Sequence, residues 1–210
     1  MKYTVKELKK FAKRLSVNMS FVDRFMTTYR PCICPFHIML EYVPENSKIL
    51  DIGCGSGLWL QMTKEFRKIK KGLGIEVCYD KVETAKKLSK GIDQLEFCYM
   101  EITKECPPQD FDVVSMIDVL HHVPIENQQL FIGNLKKINP DRIIFKDIDP
   151  NAKIKSKMNT LHDLTVAHQR PQYRKPDDVC QWLEDLGYRI THNQRHDMLW
   201  YSHYLIVADK

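Results

Sequence analysis

The chain has 210 residues, of which 43% are hydrophobic and 28% charged, with a formal net charge of +5. That is the composition of an ordinary globular domain, long enough to bury a core without disulfide or metal staples. It excludes collagen, coiled coil, disorder and a disulfide scaffold as descriptions of the whole chain, and no run approaches the ~18 apolar residues of a membrane span.

The first segment reads as helices without strands. Thr4-x-x-Glu7 is a capping box, and Val5, Leu8, Phe11, Ala12 and Leu15 follow at helical spacing. A second helical pattern runs from about Met19 to Thr27, and Pro31 and Pro35 are expected to break it. Phe36 to Tyr42 is a third. From Lys48 the texture changes. Lys48–Ile52 reads as a strand, Gly53-Cys54-Gly55-Ser56-Gly57 as a glycine loop and Leu58–Phe66 as a helix. A second strand is expected at Leu73–Val77, a helix at Lys81–Ser89 and a third strand at Leu95–Tyr99. Then come a strand at Phe111–Ile117, a helix at Ile125–Lys136 and a strand at Arg142–Lys146. A mostly helical stretch follows over Asn151–Gln169. The chain closes with a helix at Pro176–Leu186 and two strands, Tyr188–Ile190 and Tyr201–Val207. Strands alternating with helices at this pitch predict an α/β fold with a parallel sheet covered on both faces.

Two features of the residue usage bear on setting and partners. The seven cysteines are an odd number, several lie in apolar runs, and the lysine-rich start has no leader-like apolar core, so a reduced, cytoplasmic protein is expected. Cys32 and Cys34 lack the spacing and ligand number of structural zinc, and no metal is expected. Residues 1–30 carry Lys2, Lys6, Lys9, Lys10, Lys13, Arg14, Arg24 and Arg30 against Glu7 and Asp23, a local net charge of +6. Further basic runs lie at Arg67–Lys71 and at Lys153, Lys155 and Lys157. Each is either a solvated face or a contact for an anionic partner.

The strongest signal is strand, Asp51-Ile52-Gly53-Cys54-Gly55-Ser56-Gly57, helix. Glycines let the backbone turn sharply and approach a ligand, and the loop feeds the amides of a helix N-terminus. Glu76 ends the next strand, where a carboxylate can accept hydrogen bonds from both hydroxyls of a ribose. A dinucleotide fingerprint would need glycine where Leu58 stands, so the pattern suits a nucleoside without a pyrophosphate.

Ile49–Gly57 resembles the first motif of the class I S-adenosylmethionine-dependent methyltransferases, and Gly74-Ile75-Glu76 the second. Phe97–Ile102 is similar to the third, with Glu101 where aspartate is commoner and Met100 where glycine is common. Phe111–Pro124 is similar to the fourth strand and following loop of the small-molecule branch. The resemblance covers about residues 40–210. It implies a Rossmann-like seven-stranded sheet in the order 3-2-1-4-5-7-6 with strand 7 antiparallel. It implies a methyltransferase domain over residues 47–210 with an N-terminal helical cap or lid over 1–46. S-adenosyl-L-methionine is the implied cofactor and S-adenosyl-L-homocysteine the product. The implied cofactor contacts are Asp51, Gly53, Cys54, Gly55, Gly57, Glu76, Glu101 and Ile102, with Asp118 bordering the methionine end.

In an open α/β sheet ligands bind beyond the carboxyl ends of the strands. Asp118, His121 and His122 follow strand four, and Asp147 and Asp149 follow strand five. A hydroxyl or ammonium acceptor must lose a proton, so His121, His122 and Asp147 are the catalytic candidates, with His121 or His122 as base. The polar run from Lys146 through Lys155, Lys157, Asn159, His162 and Asp163 offers an acceptor rim, and His203 could reach the same end. Phe11, Phe21, Phe25, Tyr29 and Phe36 offer an aromatic lining from the cap.

The leading expectation is methyl transfer to a small-molecule acceptor, lipid-like or aromatic, with peripheral membrane contact through the basic first helix as a compatible partner reading. An RNA methyltransferase is the main alternative. Against it, the chain lacks the Asn/Asp-Pro-Pro-aromatic loop that grips a flipped base. A non-catalytic S-adenosylmethionine-binding protein is a third possibility, disfavoured by the intact glycines and Glu76. The acceptor, the atom methylated and the oligomeric state are not specified by the sequence.

Overall fold

A computed structural model describes residues 2–105, 107, 110–150, 171–199 and 201–210. The helical stretch expected over 151–169, with Lys153, Lys155, Lys157, Asn159, His162 and Asp163, lies outside the described residues, as does Cys106. The chain divides into two compact units, Met1–Glu101 and Ile102–Lys210.

The first unit opens with α1 (Val5–Leu15), whose Thr4/Glu7 capping box forms as the sequence predicts. α1 buries Leu8 and Ala12 completely, Phe11 meets the Phe66 ring edge-on at 5.5 Å, and the Tyr3 hydroxyl donates to the Phe66 carbonyl at 3.0 Å. The first helix is therefore part of this unit's core. α2 (Phe21–Ile33) starts later than expected, at the Ser20 cap, and runs through Pro31 rather than stopping before it. Pro31 falls in the last turn, where a missing N–H costs one bond, and the Cys34 N–H continues the ladder to the Arg30 carbonyl at 2.9 Å. α3 (Phe36–Met39) and a 3₁₀ turn (Leu40–Tyr42) bring Phe36 onto Trp59, ring on ring at 5.6 Å.

β1 (Lys48–Ile52), α4 (Leu58–Arg67), β2 (Lys71–Glu76), α5 (Tyr79–Leu88) and β3 (Leu95–Tyr99) complete the unit. β1 pairs with β2, and β2 with β3, both in parallel. The near-continuous apolar strands and α4, with Ile49, Leu50, Ile75, Trp59, Leu60 and Met62 buried, make its core.

The second unit contains β4 (Val113–Ile117), α6 (Gln128–Gly133), α7 (Leu135–Ile138), β5 (Arg142–Ile148), α8 (Pro176–Asp185), β6 (Arg189–Met198) and β7 (Tyr201–Asp209). The single helix expected over 125–136 is a 3₁₀ turn (Ile125–Asn127) followed by α6 and α7, which break at Gly133-Asn134. β4 and β5 pair in parallel, while β7 is antiparallel to both β5 and β6. β6 is far longer than the three residues expected. Its polar sequence carries no apolar alternation, because an edge strand pairs on one side and exposes most of its side chains. The seven strands run in the order β3-β2-β1-β4-β5-β7-β6, as the sequence resemblance implies.

β7 is buried from Tyr201 through Ala208. Its Tyr204 lies on Phe145, with ring centroids 5.8 Å apart, and its hydroxyl is buried without a hydrogen-bond partner among the described residues. Burial, reinforced by the Asp147 and Asp149 charges, pushes that phenol well above its ordinary range. Tyr204→Phe keeps the ring and removes the unpaired hydroxyl. The expected result is a gain in stability of about 1 kcal/mol, read as a higher denaturant midpoint at unchanged slope. A loss of that size would mean the hydroxyl has a partner in solution.

Candidate active site

The glycine loop is built by its backbone. The Gly53 and Cys54 amides both donate to the Ile75 carbonyl, at 2.8 and 3.1 Å, which folds the end of β1 over β2. Gly53, Gly55 and Gly57 all have left-handed φ, of +72°, +55° and +80°. At Gly57 a Cβ would also stand 2.8 Å from the Phe97 ring, so both conformation and packing demand glycine. At Gly55 a Cβ would meet nothing within 4 Å, so only conformation and whatever binds beside it set the requirement. Gly57 caps α4 without a side-chain hydrogen bond.

Glu76 is the centre of this region. It is buried at the end of β2, and its carboxylate accepts the Gly55 amide on Oε2 at 3.0 Å and the Val77 and Cys78 amides on Oε1 at 2.8 and 3.0 Å. Three backbone donors thus fix the orientation of a charged acceptor and tie the glycine loop to it. Asp51 is buried in β1 beside Gly74, and Cys54 is buried with its thiol pushed up by burial and by the Asp51 and Glu76 charges. Cys54 is therefore a packing thiol rather than a nucleophile. The Met100 amide donates to the Glu76 carbonyl at 3.1 Å, bringing half-buried Glu101 to the same end. Ile102, which opens the second unit, is buried. Sequence reasoning missed Val77 and Tyr99, large apolar side chains left exposed at the ends of β2 and β3. A signal was present, since an apolar residue follows the ribose-type carboxylate directly. An oriented carboxylate, a positive-φ glycine at position 55 with open space beside it and exposed apolar side chains suit a nucleoside with a flat base.

The second unit gathers the acceptor-side candidates at the ends of β4 and β5. His121 sits in a 3₁₀ turn (Leu120–His122) and is 3% exposed. Its Nδ1 lies 2.5 Å from Asp147 Oδ1, and its backbone amide donates to Asp147 Oδ2 at 3.2 Å. Asp147 Oδ1 also accepts the Ile148 amide at 2.7 Å. His122 is exposed, with its ring centroid 4.1 Å from that of His121. Asp118, at φ +56°, takes the fully buried Lys146 ammonium at 2.5 Å. A buried ammonium requires such a counter-charge, because isolating it would cost several kcal/mol. Asp118, His121 and Asp147 offer ligand-type atoms that all lie within 4.8 Å of one another.

A strap that sequence reasoning did not identify holds His121 from the other side. The Gln172 amide donates to the His121 carbonyl at 2.8 Å, and Tyr173 places its ring 5.8 Å from the imidazole. Buried Gln128 bonds through Nε2 to the Gln172 carbonyl at 2.7 Å and accepts Arg174 Nε at 2.9 Å. Long-range side-chain bonds of this kind have no periodic signature. His203 is buried in β7, stacked on Tyr201 at 5.6 Å.

Residues 24–193 match the sequence profile of a family described as a methyltransferase domain, and the chain belongs to that family. It is a class I S-adenosylmethionine-dependent methyltransferase, with S-adenosyl-L-methionine as its cofactor. The ubiquinone biosynthesis O-methyltransferase of Salmonella paratyphi A is 23% identical over 173 residues, covering 74% of this chain and 69% of that one. The enzyme of the same name from Coxiella burnetii is 26% identical over 179 residues, covering 74% and 73%. In fold, the chain is similar to the magnesium protoporphyrin IX methyltransferase of Synechocystis with bound SAH. That likeness has a TM-score of 0.68 at 18% identity and covers 96% of this chain and 94% of the other.

Proposed function

We propose that this enzyme transfers the methyl group of S-adenosylmethionine to a hydroxyl of a small aromatic or lipid-like acceptor, with His121 removing the hydroxyl proton. The observation that carries this reading is the buried His121–Asp147 pair at the ends of β4 and β5. Asp147 accepts the Nδ1 proton, which leaves Nε2 as the basic nitrogen of a neutral imidazole. The acceptor oxygen attacks the methyl carbon in line, the carbon–sulfur bond breaks, and its electron pair returns to sulfur as S-adenosyl-L-homocysteine. The sulfonium is already a good leaving group, so positioning supplies much of the acceleration and the base adds the rest. The relatives named for O-methylation support oxygen as the acceptor atom. His122, exposed beside His121, is the second candidate for the proton.

On the cofactor side, Asp51, Gly53, Cys54, Gly55, Gly57, Glu76 and Glu101 are assigned to S-adenosylmethionine, with Glu76 accepting from the ribose hydroxyls and Val77 packing on the adenine. Residues 1–46 then serve as a cap on a catalytic domain of residues 47–210. Cys34 and Cys54 are buried in the core as small apolar side chains, which supports a reducing, cytoplasmic setting. No helix among the described residues is long and apolar enough to cross a membrane. A lipophilic acceptor would be met at a membrane surface, and the basic N-terminal helix is the part of the chain suited to that contact.

The test is to incubate the enzyme with S-adenosylmethionine and a set of phenols and catechols bearing alkyl chains of increasing length. O-methylated product, identified by mass spectrometry, is expected. Turnover confined to amine or thiol acceptors would exclude the reading. A second mechanism has its own observation in the grouping of Asp118, His121 and Asp147. A divalent cation on these three would bind neighbouring hydroxyl oxygens and acidify them. Loss of turnover with a chelator, restored by magnesium or zinc, would favour the cation; an unchanged rate would favour the histidine base.

A further inference from the structure

α2 carries its aromatic rings on the side away from the core. The residues it buries are Thr27, Thr28 and Pro31, whereas Phe21 is 85% exposed and Phe25 55%. Phe21, Phe25 and Tyr29 follow at intervals of four residues and so form one line along the helix, with exposed Val22 beside it. A contiguous apolar stripe on a surface marks a contact waiting for a partner. One basic group is attached to the stripe itself. Lys9 Nζ sits 4.0 Å from the centre of the Tyr29 ring, which in turn lies 4.7 Å from that of Phe25. Lys6, Lys10, Lys13 and Arg24 are exposed on the same two helices.

We propose that the α1–α2 face is a docking surface for an anionic lipid bilayer, in which Phe21, Val22 and Phe25 enter the headgroup–acyl boundary and the lysines and Arg24 meet the lipid phosphates. Charge selects this occupant. A second copy of the chain would set a segment of net charge +6 against another of the same sign. A small anion or a duplex nucleic-acid backbone would use the lysines but leave the phenylalanine rings in water. A bilayer with acidic headgroups uses both, because aromatic side chains settle at the interface while basic ones gain from the negative surface potential. This deepens the membrane contact proposed above, and it stands apart from methyl transfer because none of these residues is assigned to the cofactor or to proton removal.

Cosedimentation of the full-length protein with vesicles tests it. With phosphatidylcholine containing about a third phosphatidylglycerol, most of the protein should pellet at low salt, less at high salt, and little with phosphatidylcholine alone. Phe21→Ser combined with Phe25→Ser should weaken partition by roughly tenfold or more, since two exposed rings lose their apolar burial. Lys9→Glu with Lys13→Glu should abolish the preference for phosphatidylglycerol. Affinity for S-adenosyl-L-homocysteine should be unchanged in both double variants, so a failed methyltransferase reading and a failed docking surface give different results. Equal pelleting of wild type and the Phe21/Phe25 variant would overturn the proposal. So would binding indifferent to lipid charge, or a concentration-dependent self-association that the same variant removes.

Discussion

Glu76→Ala should bind S-adenosyl-L-homocysteine about tenfold to a hundredfold more weakly than the wild type, since each charge-assisted hydrogen bond is worth about 1.5–3 kcal/mol. The carboxylate has two duties. It is assigned to the ribose hydroxyls, and it accepts the Gly55 amide at 3.0 Å, which holds the glycine loop in position before anything binds. Alanine removes both, and it leaves the Val77 and Cys78 amides without their acceptor. Glu76→Gln retains one acceptor oxygen, so its loss should be smaller. Gly55→Val should abolish measurable binding for a different reason. Nothing within 4 Å opposes a Cβ there, but φ is +55°, and a β-branched residue in the left-handed region is strained by about 1–3 kcal/mol. Relief of that strain would move the loop, and any side chain that stayed would stand in the open space beside the backbone. Gly55→Ala separates the two effects, since it adds less strain and less bulk. Calorimetry giving wild-type affinity for Glu76→Ala would remove Glu76 from the binding site.

Legibility differs between the candidate residues of the first unit and those of the second, and the reason is physical. The cofactor side is made of short-range backbone geometry. Three glycines with positive φ and a carboxylate closing the next strand must occur at fixed spacings, so Gly53, Gly55, Gly57 and Glu76 are readable as a pattern. Strand order is legible only through the resemblance to methyltransferases, because strand–helix alternation predicts a parallel sheet and narrows its topologies without choosing one. The acceptor side depends on contacts between residues far apart in the chain. Its candidates could be placed at the ends of the fourth and fifth strands, but nothing in the sequence says that Asp147 takes both the backbone and the ring of His121. Nor does it say that Lys146 is fully buried against Asp118, or that Gln172 crosses to the His121 carbonyl. Among the cap residues, Phe36 packs inward on Trp59 while Phe21 and Phe25 face solvent. Composition alone cannot separate these, since phenylalanine suits a core and an interface equally. Most of the polar edge strand β6 is invisible in the sequence because exposed edge pairing leaves no apolar period to detect.

His121→Ala should lower turnover by ~10²–10⁴, the usual contribution of a general base, with cofactor affinity nearly unchanged. The geometry gives this histidine a defined tautomer. Asp147 Oδ1 lies 2.5 Å from Nδ1 and its Oδ2 takes the backbone amide, so the carboxylate grips the residue at two points while Ile148 fixes the carboxylate. Asp147→Asn is the more informative variant. An asparagine would keep its amide oxygen on Nδ1 and the Ile148 amide, so the tautomer is held, while its amide nitrogen opposes the His121 backbone N–H and the negative charge that stabilises the imidazolium is gone. Turnover should therefore fall, but less than in His121→Ala, because a correctly oriented imidazole is still present. The sign of the pH dependence follows from the base being active only when neutral. Turnover should fall roughly tenfold per unit on the acid side of the imidazole's titration and level off above it. In His121→Ala the residual rate should lose that acid limb, whereas His122→Ala, which removes an exposed neighbour, should keep it with a change within about tenfold. If positioning alone drives the reaction, the profile should be flat from about pH 6 to 9 and both histidine variants should stay within roughly tenfold of the wild type. An acid limb that disappears in His122→Ala and survives in His121→Ala would instead assign the proton to the exposed ring, leaving the buried His121–Asp147 pair as its support.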